Sequence, residues 1–316
     1  MLVDNYLKPY GDLELQRRMV SDQIRTDAFA AAIGELVRPG DVVLDVGTGT
    51  GILAMLAARA GASKVYAIEA TDIAQVAIDL VKSNGLEQRI QFVHGWADGV
   101  QLDREVDLLI SEWLGHAAFA EGMLHAVLDA RDRHLAPTGR MLPARVRVLL
   151  APLDEPVLYN ADGPGFWRGP IHGLDFSSLQ EVELSQGRAT QTRVQPAALL
   201  APGQLILELD LLTASVEDVW WEGEFEFVPV RDGALNGFCV WFEADLSRHV
   251  TLDTGPSSPV THWAQTYLPY LPRPVRAGER LKVSVDFSYD PDRAAISRSV
   301  GLRLGIGEHK RSYLIE

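Results

Sequence analysis

The sequence predicts an α/β chain: a parallel sheet wrapped by helices, followed by a second, antiparallel β domain. Two features carry this reading. From Asp41 to about Leu135, short apolar runs alternate with helical stretches, the pattern of strand, crossover helix and parallel strand. After Pro143 that rhythm stops, and short apolar runs follow one another, parted by Gly, Pro and Asp. At 316 residues the chain also exceeds the usual size of one hydrophobic core, so a second domain is expected.

Taken in order, residues 12–36 read as helical, with Leu13, Met19, Val20, Ile24 and Phe29 recurring among charged neighbours. Strands are expected at 42–46, 64–70, 90–94 and 106–113, and helices from Ile52, over 73–83 and across 117–135. In the second half, 205–211, 225–230, 238–246, 281–289 and 300–305 read as strands. Residues 162–203 start rich in Gly, Pro and Ser and hold Phe166, Trp167, Leu174 and Phe176 without a clear period. Aromatic side chains grouped on a projecting segment are expected to be buried against a partner.

Composition narrows the function. No apolar run approaches the roughly 18 residues of a spanning helix, and the start lacks the basic-then-apolar layout of a secretory leader, so the expected location is the cytoplasm, with no membrane partner. The single cysteine, Cys239, excludes an internal disulfide framework and a zinc site built on several thiolates. A net charge of −14 repels a phosphate backbone and favours cationic partners, so nucleic acid is not an expected substrate.

Val42-Val-Leu-Asp45-Val-Gly47-Thr48-Gly49-Thr-Gly51 is an apolar strand ending in an acid and a glycine-rich turn, with a helix directly behind it. A dinucleotide fingerprint needs a third glycine where Ile52 stands, so a pyrophosphate cradle is disfavoured. An acid just before the turn repels pyrophosphate and attracts an ammonium group, which points to S-adenosylmethionine. Glu69 closes the next strand, where an acid can take both ribose hydroxyls, although a solvated strand-end charge is the simpler alternative. Asp98, after the third strand, is placed to accept from the adenine amino group.

The fourth strand ends in Ser111-Glu112-Trp113, and the loop beyond it carries Glu121, nine residues after Glu112. Ligands in such folds bind beyond the carboxyl ends of the strands. Two carboxylates converging there match a guanidinium in shape and sign, because guanidinium offers a planar fork of donors and stays charged. Drawing positive charge toward the clamped nitrogens leaves electron density on the one that faces the methyl donor. The alternative is that Glu121 merely decorates the first turn of the next helix.

At this loop the chain resembles the protein arginine methyltransferase family. The resemblance rests on Ser111-Glu-Trp-Leu-Gly followed by Glu121, on the motif around Asp45, on Thr261-His262-Trp263, and on Tyr6-Leu-Lys-Pro-Tyr10 with Met19 and Asp22-Gln-Ile-Arg25 behind it. It spans nearly the whole chain. It implies N-terminal helices over 1–40 that close on the cofactor, a Rossmann-like class I methyltransferase domain over 41–142, and a β-barrel domain over 143–316. Within the barrel domain it implies a dimerisation arm at about 162–203, hence a homodimer.

Residue roles follow from the resemblance. Arg25 would hold the carboxylate of S-adenosylmethionine, with Asp45 and the turn glycines Gly47, Gly49 and Gly51 around its amino acid end, and Gln16, Thr48 and Met123 would also bind the cofactor. Glu69 would take the ribose, and Ala97 and Asp98 the adenine. Glu112 and Glu121 would hold the guanidinium, and His262 would pair with Asp22 to brace the site and relay the released proton. Tyr6, Tyr10, Met19, His116 and Trp263 would line the acceptor pocket, although plain core packing also accounts for Trp263. The sequence departs from the family at Leu7, where a phenylalanine is usual, and at His116 and Ala120, which replace two tyrosines of the double-glutamate loop. These replacements, with the arginine-rich, alanine-rich composition of a bacterial chain, favour free L-arginine as the acceptor, methylated for a biosynthetic pathway. The alternative acceptor is arginine in proteins or peptides, and a further one is a small molecule with another nucleophile.

Overall fold

A computed structural model of the chain describes residues 12–119, 122–187, 189–288 and 300–315; Tyr6, Leu7, Tyr10, Ala120 and Glu121 lie outside them. Helices α1 (Leu13–Ser21) and α2 (Gln23–Leu36) come first. The 12–36 helix expected from its apolar period is broken at Asp22, which is extended (φ −71, ψ 94) and spends its carboxylate on the Arg25 N–H as the N-cap of α2.

Next come β1 (Val42–Val46), α3 (Ile52–Ala60), β2 (Lys64–Glu69), α4 (Ile73–Ser83), β3 (Ile90–His94), β4 (Val106–Ile110), α5 (Leu124–His134) and β5 (Leu135–Leu142). The five strands form one parallel sheet in the order β3-β2-β1-β4-β5. All five residues of β1 are buried, which is why this strand reads as a continuous apolar run rather than an alternating one. The chain runs outward from β1 to β3 and then returns to place β4 on the other side of β1. Strand order reverses there, so the carboxyl ends of β1 and β4 flank the crevice where such sheets bind ligands.

The helix expected across 117–135 starts only at Leu124. Ala117 and Ala118 have positive φ (51° and 75°), which no helix tolerates, so the segment after β4 stays a loop for longer than its apolar spacing suggested.

Beyond the parallel sheet the chain is antiparallel. One sheet runs β7 (Thr190–Thr192), β12 (Gln265–Val275), β10 (Gly233–Asp245), β6 (Arg145–Leu153), β8 (Gln204–Asp210), with β11 (Thr251–Asp253) also paired to β10. The other runs β15 (His309–Ile315), β14 (Val300–Ile306), β13 (Leu281–Ser288), β9 (Trp221–Phe227). The two pack over a shared core that includes Val148, Phe238 and Tyr270 from one and Phe227, Val283 and Leu304 from the other, giving the barrel-like half of the molecule. The hydroxyls of Tyr270 and Tyr313 cross between them to the His309 and Pro269 carbonyls. The apolar runs of the sequence do not mark β5, β6, β7, β11, β12 or β15. Three prolines disguise β12; they lie beyond the three residues paired with β7, where one edge is open and an absent N–H costs little.

Between β6 and β7 lie α6 (Pro156–Ala161), a 3-10 turn at Pro164–Arg168 and α7 (Ser178–Gln186). Trp167 and Phe176 partly bury one another, and the Trp167 indole N–H donates to Glu183, but Phe166 and Leu174 remain exposed.

Candidate active site

The glycine turn after β1 sets the first wall. Gly47, Gly49 and Gly51 have φ of 71°, 55° and 80°, a region L side chains rarely adopt. Space is closed as well: a Cβ at Gly47 would come within 2.7 Å of Met123 Cε, and one at Gly49 within 2.9 Å of Gln16 Oε1. Gln16 from α1 and Met123 ahead of α5 therefore both pack on the turn, which the sequence alone did not place together.

Asp45 is 1% exposed. Its Oδ2 accepts from the Thr48 hydroxyl at 2.5 Å, whereas its buried Oδ1 has no hydrogen-bond partner. Burial pushes this carboxyl up to about 7, opposed by the Thr48 hydrogen bond. A buried, half-satisfied carboxylate beside a glycine turn suits the ammonium of an amino acid.

Glu69, at the end of β2, reaches back to the same turn. Its Oε2 accepts the Gly49 N–H at 2.8 Å, and its Oε1 accepts the Thr71 N–H and hydroxyl, both at 2.8 Å. A carboxylate offers about four lone-pair sites, so with three filled, Oε2 keeps room for one further donor. Ala97 is buried and Asp98 exposed on the turn Ala97–Gly99. That turn is gripped from behind by Arg133, whose fork donates to the carbonyls of Asp98 (2.7 Å), Ala97 (3.3 Å) and Val100 (2.5 Å).

Glu112 stands two residues beyond β4 on the far side of the crevice. Its Oε1 accepts the Leu114 N–H at 3.0 Å, and its Oε2 accepts Nε–H (2.8 Å) and Nη2–H (2.5 Å) of Arg25. The Arg25 and Glu112 side chains are 7% and 6% exposed. Arg25 was expected on the cofactor side and Glu112 on the acceptor side; the fold couples them directly. Met19 contributes its carbonyl, 3.5 Å from Arg25 Nη1.

Asp22 serves twice. While Oδ1 caps α2, Oδ2 accepts the His262 backbone N–H at 2.7 Å and lies 2.8 Å from His262 Nδ1. Burial lowers the His262 pKa in spite of Asp22. For Asp22, burial acts upward but is outweighed by the bonds from His262 and Arg25, so its carboxyl stays below the usual range. Together these favour an ionised Asp22 accepting from Nδ1–H of a neutral imidazole, a tautomer assigned from the hydrogen-bond pattern, which leaves Nε2 as an acceptor. Trp263 is 2% exposed, packs edge-on to Phe242, and donates its indole N–H to the Leu114 carbonyl. His116 has a buried Nδ1 without a partner, and burial together with the nearby Arg18 and His262 lowers its pKa.

Comparison with known proteins decides what this constellation belongs to. Residues 155–304 match the arginine methyltransferase oligomerization subdomain, and residues 26–139 match ribosomal protein L11 methyltransferase. Protein arginine N-methyltransferase 1 of Schizosaccharomyces pombe is 33% identical over 95% of both chains; protein arginine N-methyltransferase 6 of Danio rerio is 34% identical over 97% of this chain and 90% of its own. The chain belongs to the protein arginine methyltransferase family. The fold agrees: a Trypanosoma brucei PRMT1 enzyme-prozyme heterotetramer solved with AdoHcy aligns with a TM-score of 0.89 at 29% identity, covering 97% of this chain and 99% of that one. Arabidopsis thaliana protein arginine methyltransferase 10 aligns with a TM-score of 0.85 at 30% identity, covering 98% and 99%.

This arginine N-methyltransferase uses S-adenosylmethionine, and the buried carboxylates of Asp45 and Glu69 beside the glycine turn are acceptors of the kind an ammonium and hydroxyls need. The methyltransferase also has residues that its sequence did not flag. Arg133 holds the turn bearing Asp98, and His134 Nε2 joins it on the Val100 carbonyl at 3.2 Å. Arg18 and Gln191 both bond the His262 carbonyl. All act on backbone carbonyls, which leave no spacing pattern to read. Among the described residues no helix is long and apolar enough to cross a membrane.

Proposed function

We propose that this methyltransferase acts on arginine in proteins or peptides, with Glu112 and Glu121 sharing the guanidinium. The observation that carries the acceptor class is the full-length similarity to relatives named as protein arginine N-methyltransferases. It outweighs the inclination toward free L-arginine that the replacements at His116 and Ala120 suggest, and the net charge of −14 adds long-range attraction for basic segments. The 155–304 match to an oligomerization subdomain, with Phe166 and Leu174 exposed on the projecting segment, supports a homodimer built through 162–203.

S-adenosylmethionine, when bound, supplies an electrophilic methyl on its sulfonium. In this reading Asp45 takes the ammonium, Arg25 the carboxylate, Glu69 the ribose hydroxyls and Asp98 the adenine amino group. Glu112 is suited to its role because its buried carboxylate already grips one guanidinium, that of Arg25, through two N–H groups. Its placement would hold the acceptor guanidinium still beside the cofactor, and positioning is the main source of rate in a methyl transfer. The released proton passes to Nε2 of His262, whose Nδ1–H stays on Asp22.

Labelled S-adenosylmethionine offered with an arginine-rich peptide, and separately with millimolar free L-arginine, tests the acceptor class. Product is expected on the peptide and is expected to fall steeply between low and physiological salt. Methylated free arginine with no peptide product would sink the proposal.

A further inference from the structure

The segment after α7 reaches the acceptor side of the site through one amide. Gln191, five residues beyond the end of α7, lies in β7, a three-residue edge strand paired with β12 just past the His262–Trp263 turn. Its side-chain Nε2 donates to two consecutive backbone carbonyls, His262 O at 2.6 Å and Trp263 O at 2.7 Å. Its Oε1 accepts from Arg18 Nη2 at 3.3 Å, and the same guanidinium nitrogen donates to His262 O at 3.0 Å. Both amide hydrogens and the amide oxygen are thus used, which fixes the orientation of the group.

The turn that Gln191 holds is one that backbone preference alone does not select. Ala264 sits at φ 49°, in the left-handed region disfavoured for alanine, and its N–H closes on the Thr261 carbonyl at 3.1 Å. Two successive carbonyls facing one side need donors there, and Gln191 with Arg18 supplies them. From this turn the two rings lie against one another, centroids 4.1 Å apart, and reach different partners: His262 Nδ1 meets Asp22, and the Trp263 indole donates to the carbonyl of Leu114, two residues beyond Glu112. Gln191 touches neither Asp22 nor Glu112 and acts on His262 and Trp263 through the backbone it grips.

We propose that Gln191 is a positioning residue for methyl transfer, fixing the His262–Trp263 turn from the strand that leaves the projecting segment. The proposal rests on the assignment of His262 to the acceptor site. Gln191→Leu keeps the bulk and removes both donors. It is expected to lower kcat on an arginine-rich peptide roughly tenfold, the scale of two lost hydrogen bonds, while Kd for S-adenosylhomocysteine and sedimented mass stay at wild-type values. Gln191→Glu keeps the shape and turns a carboxylate onto two carbonyls; its loss is expected to be at least as large, and it carries the test should the leucine variant fold poorly. His262→Gln is measured alongside. Wild-type kcat in His262→Gln would remove the site assignment and this inference with it. Loss of kcat in His262→Gln with wild-type kcat in both Gln191 variants would overturn the inference alone, as would Gln191 losses that merely follow weakened cofactor binding or a monomeric mass.

Discussion

Replacing Glu112 by glutamine tests the part of the site where structure and chemistry meet most directly. Both carboxylate oxygens of Glu112 accept, one from Leu114 N–H and the other from Arg25, and both side chains of the pair are almost fully buried. An amide of the same shape has a single accepting oxygen, so whichever way it is turned, one donor meets its NH2 group. The buried Arg25 charge also loses its counter-ion. Leaving a charge-assisted contact of this kind unmade costs about 2–3 kcal/mol, so the ligand-free variant is expected to melt several degrees below wild type. Turnover is expected to fall on the order of a hundredfold, or about 3 kcal/mol, the usual scale for a lost transition-state contact. Cofactor affinity is not expected to fall, because Arg25 is released to a ligand carboxylate; adding S-adenosylhomocysteine is expected to narrow the gap in Tm. The assays are single-turnover peptide methylation, calorimetric melting with and without S-adenosylhomocysteine, and titration of that ligand. Turnover within threefold of wild type would take Glu112 out of the clamp, and an unchanged Tm would show that its bond to Arg25 does not support the fold.

Asp45 predicts a pH dependence of ligand binding. Burial raises its folded pKa from an ordinary 3.8 to about 7, so across that window the folded protein holds a proton that the unfolded chain has released. Its contribution to stability therefore declines as pH rises from about 4 to about 7 and is constant above. An ammonium favours the carboxylate, so S-adenosylhomocysteine binding is expected to strengthen as pH rises to about 7 and then level off, with proton release below it. Asp45→Asn is expected to flatten that profile; a flat profile in the unaltered protein refutes the role. Removing residues 162–187 is expected to give a monomer with reduced turnover, and an intact protein that sediments as a monomer at micromolar concentration would contradict the proposed homodimer.

What the sequence determined by itself was local. The glycine turn was legible because positive φ at Gly47, Gly49 and Gly51 is a constraint on each residue alone, and the alternation of strand and helix because burial on both faces of β1 is written as an apolar run. Acids at the carboxyl ends of β1 and β2 and just beyond β4, Asp45, Glu69 and Glu112, give the crevice its chemistry from the sequence alone. Tertiary structure decided who faces whom. Arg25 reaches Glu112 across 87 residues, Asp22 divides its carboxylate between a helix cap and His262, and Met123 and Gln16 meet on the turn. Gln191 and Arg133 were invisible beforehand because they recognise backbone carbonyls, groups that every residue carries and that only the folded chain brings within reach.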